Sequence, residues 1–187
     1  MLVQMTKTFG GLLATLALLF ASEAHAQFAN RSLGAGVGFV KLFGGSNTAG
    51  QIGIDFAVPF TLEGSLYIEN GFDLFLRAMF IIVQVSSGAE TLSGAGLVYG
   101  GGGHLGARYL FMEETLRPYV GLEIAGFAIN TVPVAAYSVG PGVTAGLDYF
   151  VADTVAIGIN LTFDLFIQLN VPPRPALGGG LNVAFYF

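Results

Sequence analysis

The sequence predicts an all-β fold: an eight-stranded, antiparallel, up-and-down transmembrane β-barrel. Three observations predict it. Apolar and polar residues alternate with a period of two in segment after segment, which is the pattern of a strand with one face in each environment. Only 10% of the 187 residues are charged, against a usual share of roughly a quarter, and mean hydropathy is high at +0.71. The alternating segments number eight, an even count that lets the sheet close with both termini on one side. Closure matters because lipid cannot satisfy an open sheet edge.

The N-terminus is read separately. Lys7 supplies a positive charge, Phe9 to Phe20 ("FGGLLATLALLF") is an apolar run, and "AHA" (Ala24 to Ala26) fits a small-x-small cleavage site. The run is short against the ~20 residues of a membrane-spanning helix, so residues 1–26 are expected to be a cleaved signal peptide rather than an anchor. The barrel domain is then 27–187, with His104 as its one histidine. No cysteine follows the site, so a lipoprotein signal is not implied.

The strands are expected at about 33–43, 49–58, 67–85, 94–111, 117–130, 137–151, 154–168 and 176–187. Strand one contains "LGAGVGF". Strand two has an apolar face of Ile52, Ile54, Phe56 and Val58, with Asp55 opposite. Strand three is long enough to be bent or extended, and carries Asp73 and Arg77. Strand four holds "YGGGGHLG" and Arg108. Strand five sets Val120, Leu122, Ile124 and Ala128 against Glu123. Strand six carries Asp148. Strand seven, "VAIGINLTFDLFIQ", is the clearest: Val155, Ile157, Ile159, Leu161, Phe163, Leu165 and Ile167 alternate with a face holding Asn160, Thr162, Asp164 and Gln168. Strand eight runs through "LGGGL" to "NVAFYF".

A soluble barrel would turn the apolar faces inward and its charges to water, and this chain has too few charges for that. Turned inside out, the pattern fits, with apolar residues on lipid and charges paired within. The connections "PFTLEGS", "EETLRP" and "VADT" follow strands two, four and six. "GGSNT", "SSGAETLS", "TVPVAA" and "LNVPPRP" follow the odd strands, and face the exterior if the N-terminus is periplasmic. Aromatic residues close the even strands: Phe56 and Phe60, Tyr109 and Phe111, Tyr149 and Phe150, then Phe185, Tyr186 and Phe187. Their outward members would form one half of an interfacial girdle.

The signal sequence, the dyad-repeat segments, "RPYVGLEIAG" (Arg117 to Gly126), "GPGVTAGLDYFVADTVAIGINLTF" (Gly140 to Phe163) and the final "NVAFYF" together resemble the small OmpA-like outer-membrane β-barrels. The resemblance spans essentially all of residues 27–187. It implies the outer membrane of a Gram-negative cell, lipid as surroundings, and periplasmic chaperones and the barrel assembly machinery as partners during biogenesis. In that family a C-terminal aromatic in an alternating last strand serves as an insertion signal, a role that falls here on Phe187. The motifs specify architecture and say little about activity. No peptidoglycan-binding domain follows the barrel, so that role is not implied.

The candidate site is the set of charges on the polar faces: Asp73, Arg77, His104, Arg108, Glu123, Asp148 and Asp164. A tight turn at Thr115–Leu116 would put Arg108 opposite Glu123. A loop centred near Glu90 would put Asp73 opposite Arg108 and Arg77 opposite His104. The expected result is a row Asp73–Arg108–Glu123 with Arg77 and His104 one step further out. Buried charges persist only when paired, so this is read as a polar plug that fixes register. A gate or proton-sensitive switch through His104 is the sharper alternative.

Other chemistry finds little support. A hydrolase needs a nucleophile within reach of its base, yet Ser32, Ser46, Ser65, Ser86, Ser87, Ser93 and Ser138 fall mostly in loops or at strand ends. One histidine and no cysteine argue against a metal site, and no cofactor is expected. The glycine runs lack the helix and Lys-Ser/Thr pattern of a phosphate loop. The net charge of −5 argues against nucleic acid. Inward glycines of strands one and eight (Gly34, Gly36, Gly38, Gly178, Gly180) would leave one wall bare. That wall relieves bulky residues opposite, such as Phe75, Met79 and Phe127, or lines a narrow cavity. The expected function is therefore a non-enzymatic structural or interaction role, with a possible protein partner at the exterior loops. The alternative is a narrow channel or a carrier of a small apolar ligand.

Overall fold

A computed structural model describes residues 30–43, 56–84, 97–111, 115–131, 134–168 and 171–187. The expected signal peptide and the first part of the expected strand two, with Ile52, Ile54 and Asp55, lie outside the described residues. So do most of the two longest connections. Eight strands form one closed antiparallel barrel: β1 (Arg31–Leu42), β2 (Phe56–Tyr67), β3 (Phe72–Gln84), β4 (Leu97–Leu110), β5 (Leu116–Thr131), β6 (Val134–Ala152), β7 (Val155–Gln168) and β8 (Val171–Tyr186). Each strand pairs with its sequence neighbour, and β1 pairs with β8 to close the ring. Among the described residues, no helix is long and apolar enough to cross a membrane, which says nothing about crossing by strands.

The faces are arranged as the alternation requires. On β7, Ile157, Ile159, Leu161, Phe163 and Ile167 point outward and are half exposed, while Ala156, Gly158, Thr162, Asp164 and Phe166 are buried. On β5, Leu122 is 71% exposed on the outside, and Tyr119, Glu123 and Ala125 are buried inside. A surface this apolar is stable facing hydrocarbon and costly facing water.

The second strand departs from expectation. "PFTLEGS" is not a turn but the middle of β2. The chain turns instead at Ile68–Gly71, where Asn70 and Gly71 both have positive φ (53° and 86°). Asn-Gly is the dipeptide that tolerates this geometry most readily. The turn is held by the Phe72 amide donating to the Glu69 carbonyl (3.0 Å) and the Gly71 amide donating to the Tyr67 hydroxyl (3.0 Å). Phe56 consequently begins β2 rather than ending it, and Phe60 sits mid-strand facing outward. The outward parity of Phe56 stands as expected.

The end of the barrel where β1 begins and β8 ends, the terminal end, carries the short connections Ile68–Gly71, Phe111–Thr115 and Asp153–Thr154. At the other, far end the sheet extends into two expected loops: Val134 to Ala136 belong to β6, and Val171 to Pro175 to β8. Exposed aromatics ring the terminal end. Phe72, Tyr109 and Phe111 meet edge to face with centroids 5.3 Å apart at each step, and Tyr149, Phe185 and Phe187 continue the belt. Phe150 and Tyr186, from the same expected set, turn inward instead. Phe39, Phe43, Phe56, Phe80, Tyr99 and Tyr137 are exposed toward the far end, with Phe80 stacked on Tyr99.

Candidate functional site

The seven charged residues of the candidate set face the interior. Asp73, Arg77, His104, Arg108, Glu123, Asp148 and Asp164 are all at least 96% buried. They arrive by parity: each occupies an inward position on β3 to β7, and the register of those strands sets who meets whom.

Strands β3 and β4 pair as expected, with Asp73 opposite Arg108 and Arg77 opposite His104. Strands β4 and β5 do not. Arg108 lies opposite Gly121, and Glu123 lies opposite Gly106, two residues away from the expected pairing. The cause is the β4–β5 connection. It spans Phe111–Thr115, with the Phe111 amide bonded to the Pro118 carbonyl, instead of turning tightly at Thr115–Leu116. A slip of two keeps every side chain on its face, so the lumen set survives while its partners change. The expected row Asp73–Arg108–Glu123 is therefore not formed.

Two networks form instead. In the first, Arg108 Nε donates to Asp73 Oδ2 (2.6 Å) and Arg108 Nη1 to Glu63 Oε1 (2.9 Å). Arg77 Nε donates to the other oxygen of Glu63 (2.8 Å). Glu63 thus bridges two guanidiniums. The Arg108 guanidinium also lies 4.7 Å from the Tyr119 ring centroid and 5.4 Å from that of Phe75, contacts that favour a desolvated cation. The four charges, Glu63, Asp73, Arg77 and Arg108, balance.

In the second network, His104 Nδ1 is 2.7 Å from Glu123 Oε1, and His104 Nε2 is 3.2 Å from Met79 Sδ. Asp164 joins this pair: one ligand atom each from His104, Glu123 and Asp164 lie within 4.8 Å of one another. The residue count gave no hint of such a cluster.

Glu63 is the functional residue the sequence reading missed. Placing the turn at "PFTLEGS" put it in a loop, although its parity matches the inward residues Ala57, Pro59 and Ser65. The signal that would have found it is Asn70–Gly71, which marks the true hairpin and returns Glu63 to a strand.

Glycines make the side-chain rows fit. A Cβ on Gly106 would sit 2.7 Å from the Phe75 ring, and one on Gly142 would collide with the Asp164 carboxylate. A Cβ on Gly146 would collide with Tyr119 in the same way. Large inward side chains are thus set beside glycine across the sheet, which lets them pack closely.

Among the described residues, side chains occupy the lumen at successive levels. Toward the terminal end, Arg117 stacks over Phe150 (4.2 Å), and the Tyr186 hydroxyl donates to Asp148 (3.3 Å). The charged networks and Phe75 fill the middle. Toward the far end, Phe127 and Phe166 meet edge to face at 4.7 Å among Leu42, Ala57, Met79, Ile81 and Ala176. Beside the glycine wall of β1 and β8 a cavity of about 30 Å³ remains, lined by Gly38, Gly178, Gly180, Thr162, Met79 and His104 among others. That is room for about one water molecule, not for an apolar ligand.

A closed barrel with a lipid-compatible exterior and a charged, filled interior has the fold of the small OmpA-like outer-membrane β-barrels. The Neisserial surface protein A structure superposes with a TM-score of 0.56 at 16% identity, covering 84% of this chain and 97% of that one. OprG from Pseudomonas aeruginosa gives 0.57 at 13% identity, covering 84% and 95%. The N-terminal β-barrel domain of Pseudomonas aeruginosa OprF gives 0.51 at 17%, covering 83% and 98%. No protein-family model and no curated protein sequence matches the chain. The likeness is one of fold.

Proposed function

We propose that the protein is an integral outer-membrane barrel with a non-enzymatic structural or interaction role, acting through its exterior connections and lipid-facing wall. The observation that carries this reading is the filled lumen: Phe75, Tyr119, Arg108, Glu63, Phe127 and Phe166 occupy the interior at successive levels. An eight-stranded barrel has an interior that side chains can fill or that can hold one small ligand, and here the side chains fill it. A conduit would need these groups displaced; salt bridges hold Arg108 and Glu63, and apolar packing holds Phe127 and Phe166. The cavity of about 30 Å³ beside the glycine wall also disfavours a carrier of apolar ligands.

The hydrolase reading gains nothing from the geometry. Ser32 and Ser65 are inward, but their hydroxyls bond to each other at 2.8 Å, and His104 is engaged by Glu123 and Met79. Outer-membrane residence is part of this proposal, supported by the lipid-compatible exterior and by the expected signal peptide. Chaperones, the assembly machinery and Phe187 as insertion signal belong to the same proposal, and Phe187 is exposed at the β1–β8 seam, its amide bonded to the Arg31 carbonyl.

Planar-bilayer recording with purified, folded protein tests the reading. The plugged barrel predicts no stepwise conductance above the bare membrane. Reproducible single-channel steps would overturn it in favour of the narrow channel.

A further inference from the structure

We propose that His104, Glu123 and Asp164 form a binding site for one divalent transition-class cation inside the barrel. The three side chains come from β4, β5 and β7 and converge, each at least 96% buried, with one ligand atom apiece within 4.8 Å. Two of their oxygens, Glu123 Oε2 and Asp164 Oδ1, are buried and accept no hydrogen bond from the protein. A buried carboxylate oxygen without a donor carries a large desolvation cost, and here two such oxygens share one small space.

Charge balance points the same way. Glu63 and Asp73 are matched by Arg77 and Arg108, and Asp148 stands opposite Arg117 across β5 and β6. Glu123 and Asp164 remain, with His104 as the group facing both and Arg77 already bridged to Glu63. The inward Arg174 lies opposite Phe166, one step nearer the far end, so at the site itself two buried carboxylates face one imidazole, a local negative charge that a divalent ion neutralises.

The histidine is oriented for this task. A thioether sulfur accepts hydrogen bonds and donates none, so the Nε2–H is directed at Met79 Sδ and Nδ1 faces the carboxylates. Metal-bound histidines are held in the same way, by a partner on the ring nitrogen that does not bind the ion. The neighbours leave space for the carboxylates: Asp164 is flanked by Gly142 and Ala176, and Glu123 by Gly106 and Gly142. A Cβ at Gly142 would fill the cradle. One nitrogen and two carboxylate oxygens suit zinc, manganese or iron(II) better than the all-oxygen preference of calcium or magnesium. The adjacent cavity, about 30 Å³ and lined by His104, can hold a water as a further ligand.

The test uses the full chain in detergent, stripped with chelator and then titrated with Zn²⁺, and separately with Co²⁺ as a spectroscopic probe. The site predicts one Zn²⁺ retained per chain after dialysis, visible ligand-field absorption with Co²⁺, and a higher unfolding temperature with metal. Asp164→Asn and His104→Gln should each weaken Zn²⁺ binding at least tenfold, while Glu69→Gln, in the exposed terminal-end turn, should not. Should either lumen variant fail to fold, nitrogen NMR of the wild-type histidines decides: Zn²⁺ must shift Nδ1 of His104. A wild-type chain that binds no Zn²⁺ at millimolar concentration would overturn the proposal and leave a shared proton between the carboxylates. Binding equal in wild type and both lumen variants would overturn it as adventitious.

Discussion

Glu63 offers the sharpest test of how the lumen is held together. Its carboxylate accepts from Arg77 at 2.8 Å and from Arg108 at 2.9 Å. Glu63→Gln keeps the volume and removes the charge. Arg108 would retain Asp73 at 2.6 Å, but Arg77 would lose the carboxylate that binds it, and two guanidiniums would face each other across an amide. Breaking a buried pair from one side costs about 3–5 kcal/mol. Replacing both members with uncharged groups is far milder, so Glu63→Gln with Arg77→Met should recover at least ~2 kcal/mol of that loss. With a urea slope of about 2 kcal/mol/M, the single variant's midpoint falls by roughly 2 M and the double variant regains about half. The chain has no tryptophan, so far-UV ellipticity and the gel mobility of unheated samples are the readouts. Additive losses in the double-mutant cycle would refute direct coupling and mean that the lumen is wet enough to solvate each charge alone.

Further outcomes follow from the faces and the close approaches. Ile159→Arg and Leu161→Arg should each cost about 2–4 kcal/mol if near the bilayer midplane, while Asn160→Ala, on the inner face, should cost less than either by the same unfolding assay. Gly106→Ala should destabilise by about 1–3 kcal/mol through overpacking against Phe75, whereas outward Gly101→Ala, whose added Cβ would meet nothing nearer than 3.6 Å, should be near neutral. Gly71→Ala places a Cβ at φ 86° in the Asn70–Gly71 turn and should cost about 1–2 kcal/mol, visible as a lowered urea midpoint.

The sequence carried the faces far better than the boundaries. Parity depends only on counting by two along a strand, so Asp73, Arg77, His104, Arg108, Glu123, Asp148 and Asp164 were all legible as inward residues. Boundaries depend on which turn signal wins: Pro59 and Gly64 within "PFTLEGS" imitate a turn, whereas the chain turns at Asn70–Gly71. A boundary set at the first signal displaces β2 and hides Glu63, the residue that joins Arg77 to Arg108. Register across β4 and β5 depends on the exact length of a connection, and an error of two residues replaced the Arg108–Glu123 pair with Arg108–Asp73 and His104–Glu123. The convergence of Asp164 with His104 and Glu123 spans three strands. It was not legible because each further pairing adds another uncertain register.

The central claim is that the barrel is apolar outside and charged within, and β7 tests it most directly. The chain has no native cysteine, so single cysteines at positions 157 to 164 can be spin-labelled one at a time in folded protein in lipid vesicles. Collision with oxygen, which concentrates in the bilayer, should be high at 157, 159, 161 and 163 and low at 158, 160, 162 and 164. The opposite phase, or no alternation, would contradict the account.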